Sequence, residues 1–359
     1  MVLCYPTIEI SLSFRFTVEM FISRAMRIDC HVHIVGNGSS GSGCWIRTKT
    51  HQWPLQGLMV RHIGLPISAL KGDLDRLYVD KLLQWIRESS LDAAIVLAQE
   101  QVYRDDGELM SEYGTAYVPN DYVLQLAREH REFLPAVSIH PARRDALEEL
   151  ERCIAGGAVM MKCLPNCQNI DCMNPHFRKF WERMAEAGIP LLAHTGGEHT
   201  LQIVRPEFAD PRTLKLPLEC GVTVIAAHSA SKSGFTDPEY FHHFSEMCAT
   251  YPTFYGDNSA FNIPIRSRVV PKSMQPPVAD KILHGSDYPV PIFGHWAWMR
   301  GFIDWSTFRR WQNHANPIER DFQLKKAMGF TEETFTRVAE LIPQKALEKL
   351  SPSAAGARA

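Results

Sequence analysis

The sequence predicts an α/β fold, a (β/α)8 TIM barrel with long loop insertions at its C-terminal face. Eight short apolar runs alternate with amphipathic stretches over residues 26–350. Polar residues gather at the C-terminal ends of those runs. The first run closes on Asp29-Cys30-His31-Val32-His33, where two histidines stand one residue apart.

The runs cover 26–34, 91–98, 133–140, 158–164, 189–194, 222–228, 253–257 and 281–287, the seventh being the weakest. Near-continuous apolar strands of this length suit a parallel sheet buried on both faces. Helical patterns fall between them, most clearly over 80–90, 121–130, 144–154 and 175–187. Gly156 and Gly188 mark helix ends, and Asn120 and Asn174 are expected N-caps. An open doubly wound sheet would carry the same runs. The barrel is favoured because His33, His140, Lys162, His194, His228 and Asp287 all lie at run ends, where barrel active sites are built.

Two segments exceed what a minimal barrel needs. Residues 37–73 open Gly-Ser-rich and contain Trp45, His51, Trp53, Arg61 and His62. Residues 288–330 contain Trp296, Trp298, Trp305 and Trp311. Both follow run ends at the active face, so they are expected to wall the substrate pocket; the alternative is that the tryptophans pack an extra helix on the barrel. Residues 1–25 carry Glu9, Arg15, Glu19 and Arg24, and their uncharged stretch is too short to cross a bilayer. They lack a basic start and a small-residue cleavage site. They are expected to be an extension outside the fold, with the functional start at Met20 or Met26, and 351–359 to be a disordered tail. Residues 26–350 are expected to form one domain.

The formal charge of −2, from 38 basic and 40 acidic residues, gives no electrostatic case for nucleic acid or an anionic membrane. A small-molecule substrate is expected instead. Nine cysteines, without CxxC pairs, read as free thiols of a reducing, cytoplasmic setting. Cys163, Cys167 and Cys172 crowd one loop, but their spacing is not a zinc-knuckle pattern.

His31 and His33 carry the chemistry. On a strand, side chains two apart project to one face, so both imidazoles can bind one ion. Nitrogen donors suit zinc, although manganese, iron or nickel also bind them. His194 closes a buried run before Gly196-Gly197 and has little structural reason to be there. Asp287, in His284-Gly285-Ser286-Asp287-Tyr288-Pro289, can coordinate the ion and hold a proton from water. His228 has two roles open to it: ligand of a second metal, or catalytic base and hydrogen-bond donor beside a single one. Lys162 could bridge two ions once carboxylated, bind a substrate carboxylate, or pair with an internal acid. His140, Glu198, His199 and Arg61 are candidate substrate contacts, and Arg47, Arg61, Lys162 and Arg300 candidate carboxylate holders.

Together, the Asp29–His33 segment, His194, His228 and the His284–Pro289 segment resemble the amidohydrolase superfamily, in particular its amidohydrolase-related branch. The resemblance runs from about Met26 to Leu350. It implies a (β/α)8 barrel with a divalent metal, usually zinc, whose ligands in single-metal members match His31, His33, His194 and Asp287. It leaves His228 to orient or deprotonate water or to contact substrate. The branch contains hydrolases of lactones and other carbonyl compounds, and also non-oxidative decarboxylases of aromatic or unsaturated acids. The leading expectation is hydrolysis of a small polar amide, ester or lactone by metal-activated water, with Asp287 shuttling the proton and His228 stabilising the oxyanion. The alternative is a carboxy-lyase on the same metal. Such barrels are commonly dimers, but no segment identifies a homodimer interface.

Overall fold

The computed structural model describes residues 25–47 and 53–350. The expectations for the N-terminal extension, for His51 and for the C-terminal tail fall outside the described residues, apart from Ala25. Eight barrel strands are present: β1 (Ile28–His33), β2 (Ala93–Leu97), β3 (Phe133–Val137), β4 (Met160–Cys163), β5 (Leu191–His194), β6 (Val224–Ala227), β7 (Phe254–Asp257) and β8 (Ile282–Leu283). Each pairs in parallel with the next. The ring closes just beyond β8, where Cys30 N donates to His284 O (2.9 Å), Asp287 N to His31 O (2.9 Å) and His33 N to Tyr288 O (2.8 Å). The barrel expected from the sequence is the one observed. The strands are shorter than the apolar runs, because the run ends leave the ladder to form the site.

Strand alternation sorts the side chains into two layers. Ile28, Cys30, Ile95, Leu134, Met160, Leu192, Ile225 and Leu283 fill the barrel interior, closed beneath by Val338 and Ile342. Val32, Ala94, Val96, Val137, Met161, Leu191 and Val224 face the helices. Lys162 follows Met160, and His194 follows Leu192, on the inward face. In β1 the register slips between Asp29 and Val32. The slip puts Val32 in the helix-side layer although Cys30 lies inside, so His31 and His33 turn inward.

Helix α1 (Trp53–Ile63) lies in the first insert, where no helix was expected. Helices α2 (Leu74–Arg87), α3 (Asn120–Glu129), α4 (Ala146–Ala155) and α5 (Arg178–Glu186) overlap the expected helical stretches with shifted ends. Asn174 caps as expected, accepting from His176 N. Asn120 does not. It is the first helical residue, and its side chain instead accepts from Ser138 N (2.7 Å) and donates to Glu149 (2.7 Å). Tertiary partners outcompete the local cap.

The Gly-Ser-rich loop after β1 wraps around one carboxylate. Asp75, buried on α2, accepts from the backbone N–H groups of Asn37 (2.6 Å), Gly38 (3.2 Å) and Ser40 (3.1 Å) and from the hydroxyls of Ser40 (2.9 Å) and Ser42 (2.6 Å). A Cβ on Gly36 would stand 2.7 Å from Asp75 Oδ1 and 2.9 Å from Cys44 Cβ, so only glycine lets the chain pass this close. The two inserts also meet: His62 Nε2 accepts from Ile292 N (3.1 Å) and lies 3.2 Å from Arg320. In the second insert, Trp298, Trp305 and Phe308 stack with centroid separations of 4.9–5.3 Å, and Trp305 is half exposed. Trp298 and Trp305 pack on one another at the surface. All described cysteines are free thiols, and no helix among the described residues is long and apolar enough to cross a membrane.

Asp75→Ala should destabilise the protein by about 2–4 kcal/mol, because it strands several buried donors at once. Urea unfolding measures this. Burial tends to raise the Asp75 pKa, but the hydrogen bonds from Ser42, Ser40 and Asn37 outweigh it and hold the group below the ordinary carboxylate range. Its contribution is therefore fully present above that range and is lost as pH falls through the lowered value. The mutant's deficit should shrink in acid and persist at neutral pH.

Candidate metal centre

At the C-terminal mouth of the barrel, His31 Nε2 lies 3.2 Å from His33 Nε2, and each is 3.3 Å from Asp287 Oδ1. A tetrahedral zinc with bonds of about 2.0–2.1 Å to nitrogen and oxygen has ligand–ligand edges of roughly 3.3–3.4 Å. The triangle has the size of one face of such a polyhedron. His31, His228 and Asp287 also offer donor atoms that all lie within 4.8 Å of one another. His194 is buried, its Nε2 has no hydrogen-bond partner, and its ring centroid is 5.0 Å from that of His228. An orphaned buried imidazole nitrogen at the mouth of a barrel fits a ligand position.

Burial shifts these rings toward the neutral, metal-binding form. His31 is held well below the ordinary histidine pKa by burial and then by Lys162, and His228 likewise by burial and then by Arg266. Burial also lowers His194, to about 3. Asp29 is pushed up to about 7 by burial, although Oδ1 accepts from His31 N (3.0 Å) and Ser286 N (2.9 Å). Those two bonds pin the chain beside two of the ligand candidates.

The backbone is strained where the site needs side chains re-aimed. His228, Ser229 and Ala230 have φ of 60°, 49° and 53°, and Asp287 has 64°. Such values cost energy for non-glycine residues and cluster at functional sites. His228 follows the inward-facing Ala227, so a continuing strand would point it at the helices. The left-handed turn brings its ring to 5.2 Å from that of His31. A Cβ on Gly285 would stand 2.8 Å from His31 Cβ, so glycine there lets the Asp287 loop close on β1.

Sequence reasoning passed over two residues. Asp257, at the end of β7, is fully buried and accepts from His31 Nδ1 at 2.8 Å and from His228 N at 2.7 Å. Its signal was present, a carboxylate closing an apolar run, but that run was the weakest. Arg266 is buried without a carboxylate partner. Its guanidinium donates to Ser231 O and Gly197 O (2.6 Å each), and Nε has no partner. Those carbonyls lie three residues beyond His228 and His194. Nothing in a lone loop arginine marks it in the sequence.

Lys162 is buried in the site, with Nζ 3.1 Å from His31 Nε2. Burial lowers its pKa. Glu198 Oε2 lies 3.6 Å from His194 Nε2. The other candidates stand elsewhere. His140 is buried with both ring nitrogens engaged by backbone, Nε2 with Gln168 O (3.0 Å) and Nδ1 with Ala142 N (3.1 Å), which leaves no ring nitrogen for substrate. His199 is exposed and pairs with Asp237 (3.1 Å). Arg61 is exposed on α1. Arg47 binds Tyr113 O (2.9 Å) and stacks on Trp45 (4.4 Å). Arg300 binds Ser267 (2.7 Å) and Pro264 O (3.0 Å).

Fold and site together define a metal-dependent barrel enzyme of the amidohydrolase type. The amidohydrolase family profile matches residues 28–306, and the chain belongs to that family. Comparison with curated proteins found no match. Among solved structures, a TIM-barrel protein from Bordetella bronchiseptica superposes with a TM-score of 0.54 at 14% identity, covering 83% of this chain and 99% of its own. A probable 2-pyrone-4,6-dicarboxylic acid hydrolase from Acinetobacter baumannii gives 0.53 at 13% identity, over 88% and 98%. A 4-oxalomesaconate hydratase from Rhodopseudomonas palustris gives 0.50 at 14% identity, over 90% and 99%. At these identities the likeness is one of fold.

Purified without chelator, the protein should carry about one divalent ion per chain. His31→Ala, His33→Ala and His194→Ala should each lose most of it, whereas Arg61→Ala should not. Elemental analysis decides, and full occupancy in all three histidine variants would remove them from the site.

Proposed function

We propose that this protein is a single-zinc hydrolase that cleaves an ester, lactone or amide bond in a small anionic substrate, with His31, His33, His194 and Asp287 holding the ion. A divalent cation there would polarise a carbonyl and make hydroxide available near neutral pH. The chain supplies the rest. Asp287, its side chain 11% exposed, faces the open side of the site and can take a proton from water. The observation that carries the reading is the convergence of His31 Nε2, His33 Nε2 and Asp287 Oδ1 at tetrahedral spacing, with the unpartnered His194 Nε2 nearby. Lys162 and Arg266 are buried cations with no carboxylate within ion-pair reach among the described residues, and such groups are costly to bury unless a counter-charge arrives. That supports an anionic substrate. The Acinetobacter neighbour is named for a dicarboxylic acid, which agrees with this reading.

His228 supports hydrolysis over carboxy-lyase chemistry. Its Nδ1 faces Ser259 O (3.3 Å) and Ser259 Oγ (2.7 Å). A carbonyl only accepts, so the ring proton belongs on Nδ1 and Nε2 is bare. A bare, neutral Nε2 takes protons. It is the wrong partner for protonating carbon after loss of carbon dioxide, and it does not donate to an oxyanion, the role expected from the sequence. As the ring protonates in acid, activity should be lost.

Asp287→Asn should lower kcat/KM by roughly 10²–10⁴-fold while most of the metal stays bound. Steady-state kinetics with metal analysis tests both halves, and near-wild-type turnover would dismiss Asp287. Carbon dioxide release from hydroxybenzoates, without hydrolysis of lactones, would favour the lyase reading. Lys162→Met should weaken inhibition by small dicarboxylates by roughly 10–100-fold, the scale of a lost hydrogen bond to a charged group. Unchanged inhibition constants would take Lys162 out of substrate binding.

A further inference from the structure

We infer that Asp257 is a positioning residue that fixes two histidines at once, presenting both the His31 ligand nitrogen and the His228 base nitrogen to the site. The inference rests on the proposed metal-hydrolase reading and deepens it. Four donors converge on this carboxylate. Oδ2 accepts from His31 Nδ1 at 2.8 Å. Oδ1 accepts from His228 N at 2.7 Å, from Ser259 N at 3.1 Å and from the Ser259 hydroxyl. Only an ionised carboxylate satisfies such an arrangement, and it dictates the protons around it.

His31 must keep its ring hydrogen on Nδ1, because a carboxylate only accepts. Its Nε2 is then a lone pair, aimed at His33 and Asp287. A carboxylate behind a ligating imidazole fixes the tautomer and raises the basicity of the nitrogen that binds. The second histidine is reached through Ser259. The serine hydroxyl spends its hydrogen on Asp257 and can therefore only accept from His228 Nδ1 at 2.7 Å. His228 is thus also an Nδ1–H tautomer with Nε2 free. The same Oδ1 that anchors Ser259 takes the His228 backbone N–H, and Ser229 Oγ donates to Asp257 O (2.8 Å). Asp257 therefore also offsets the left-handed backbone that turns His228 inward. One carboxylate ties β1, β6 and β7 together at the point where their side chains act.

Asparagine cannot replace it. The amide keeps one oxygen, which the three donors at Oδ1 claim, and puts an NH2 against His31 Nδ1, so His31 must turn over or change tautomer. Ser259→Ala cuts only the branch to His228.

The test is nitrogen NMR of the metal-free protein with labelled histidine, which distinguishes the tautomers, combined with zinc affinity by chelator competition. The wild type should show Nδ1–H tautomers at both His31 and His228. Asp257→Asn should disturb His31 and weaken zinc binding by about 10–100-fold, and Asp257→Ala should disturb both rings. Ser259→Ala should disturb His228 alone and leave zinc affinity within about twofold, since no metal ligand loses a partner. An Nε2–H tautomer at either ring of the wild type overturns the inference without reference to any variant. So does a folded Asp257→Asn protein with wild-type tautomers and zinc affinity. Both tautomers as stated, in a protein that takes up no zinc, would uphold the positioning role of Asp257 and overturn the metal-hydrolase reading.

Discussion

Water is nearly excluded from the barrel mouth, so a polar atom that the strands deliver there needs a partner from the chain or from what the site binds. His31, His194, His228, Lys162, Asp257 and Arg266 are all buried, in a place that the alternation of parallel strands would otherwise fill with apolar side chains. A buried polar group without a partner costs about 1–3 kcal/mol, and more if charged. Asp257 answers this constraint for β1, β6 and β7, and Asp29 for the junction of β1 with the β8 loop. The one-residue slip in β1 and the left-handed turns at His228 and Asp287 persist because these acceptors hold them.

Charge balance follows from the same exclusion. Asp257, Asp287 and Glu198 are gathered with Lys162, Arg266 and a set of imidazoles whose pKa values burial drives down. Neutral imidazoles and the Asp287 carboxylate form a donor set for a divalent cation, with Asp257 behind the His31 ring. Lys162 reaches into the same site. Arg266 is fixed by the carbonyls of Ser231 and Gly197 and by the Ser231 hydroxyl, all uncharged groups. Such a field favours a substrate that brings negative charge and disfavours a neutral or cationic one.

The barrel was legible in the sequence because its signals are local: eight apolar runs, each ending in a polar residue. The ligand candidates were legible for the same reason. Met160 with Lys162, and Leu192 with His194, obey the period of two, and HxH at the end of β1 gathers as that period requires despite the slip. What escaped was tertiary. Asp257 looks like any residue after a weak run, and its role exists only because β1 and β6 aim N–H groups at it. Arg266 sits in a loop with no pattern. His140 was misread because sequence cannot show that backbone, from its own loop at Ala142 and from the next at Gln168, claims both ring nitrogens. The Gly-Ser-rich loop looked like a pocket wall, but its N–H groups are consumed by Asp75, an acid on the following helix.

Lys162 decides how many ions the site can serve. Its Nζ approaches the Nε2 lone pair of His31 at 3.1 Å, the same lone pair that a metal would use. An ammonium and a divalent cation cannot share it, so ion binding requires Lys162 to turn its Nζ away. His228 constrains the other half of a two-metal arrangement. Its Nε2 is a free lone pair, but its backbone is held by Asp257 and its Nδ1 by Ser259, so the ring cannot travel far. A single ion on the β1, β5 and β8 ligands asks for no movement of His228 and leaves its lone pair for water. A second ion would consume that lone pair and, with Lys162 bound as its bridge, would also remove one of the two positive charges that favour an anionic substrate. The geometry therefore couples the one-metal reading to the anionic-substrate reading: the same lysine that leaves the metal shell remains to bind the carboxylate.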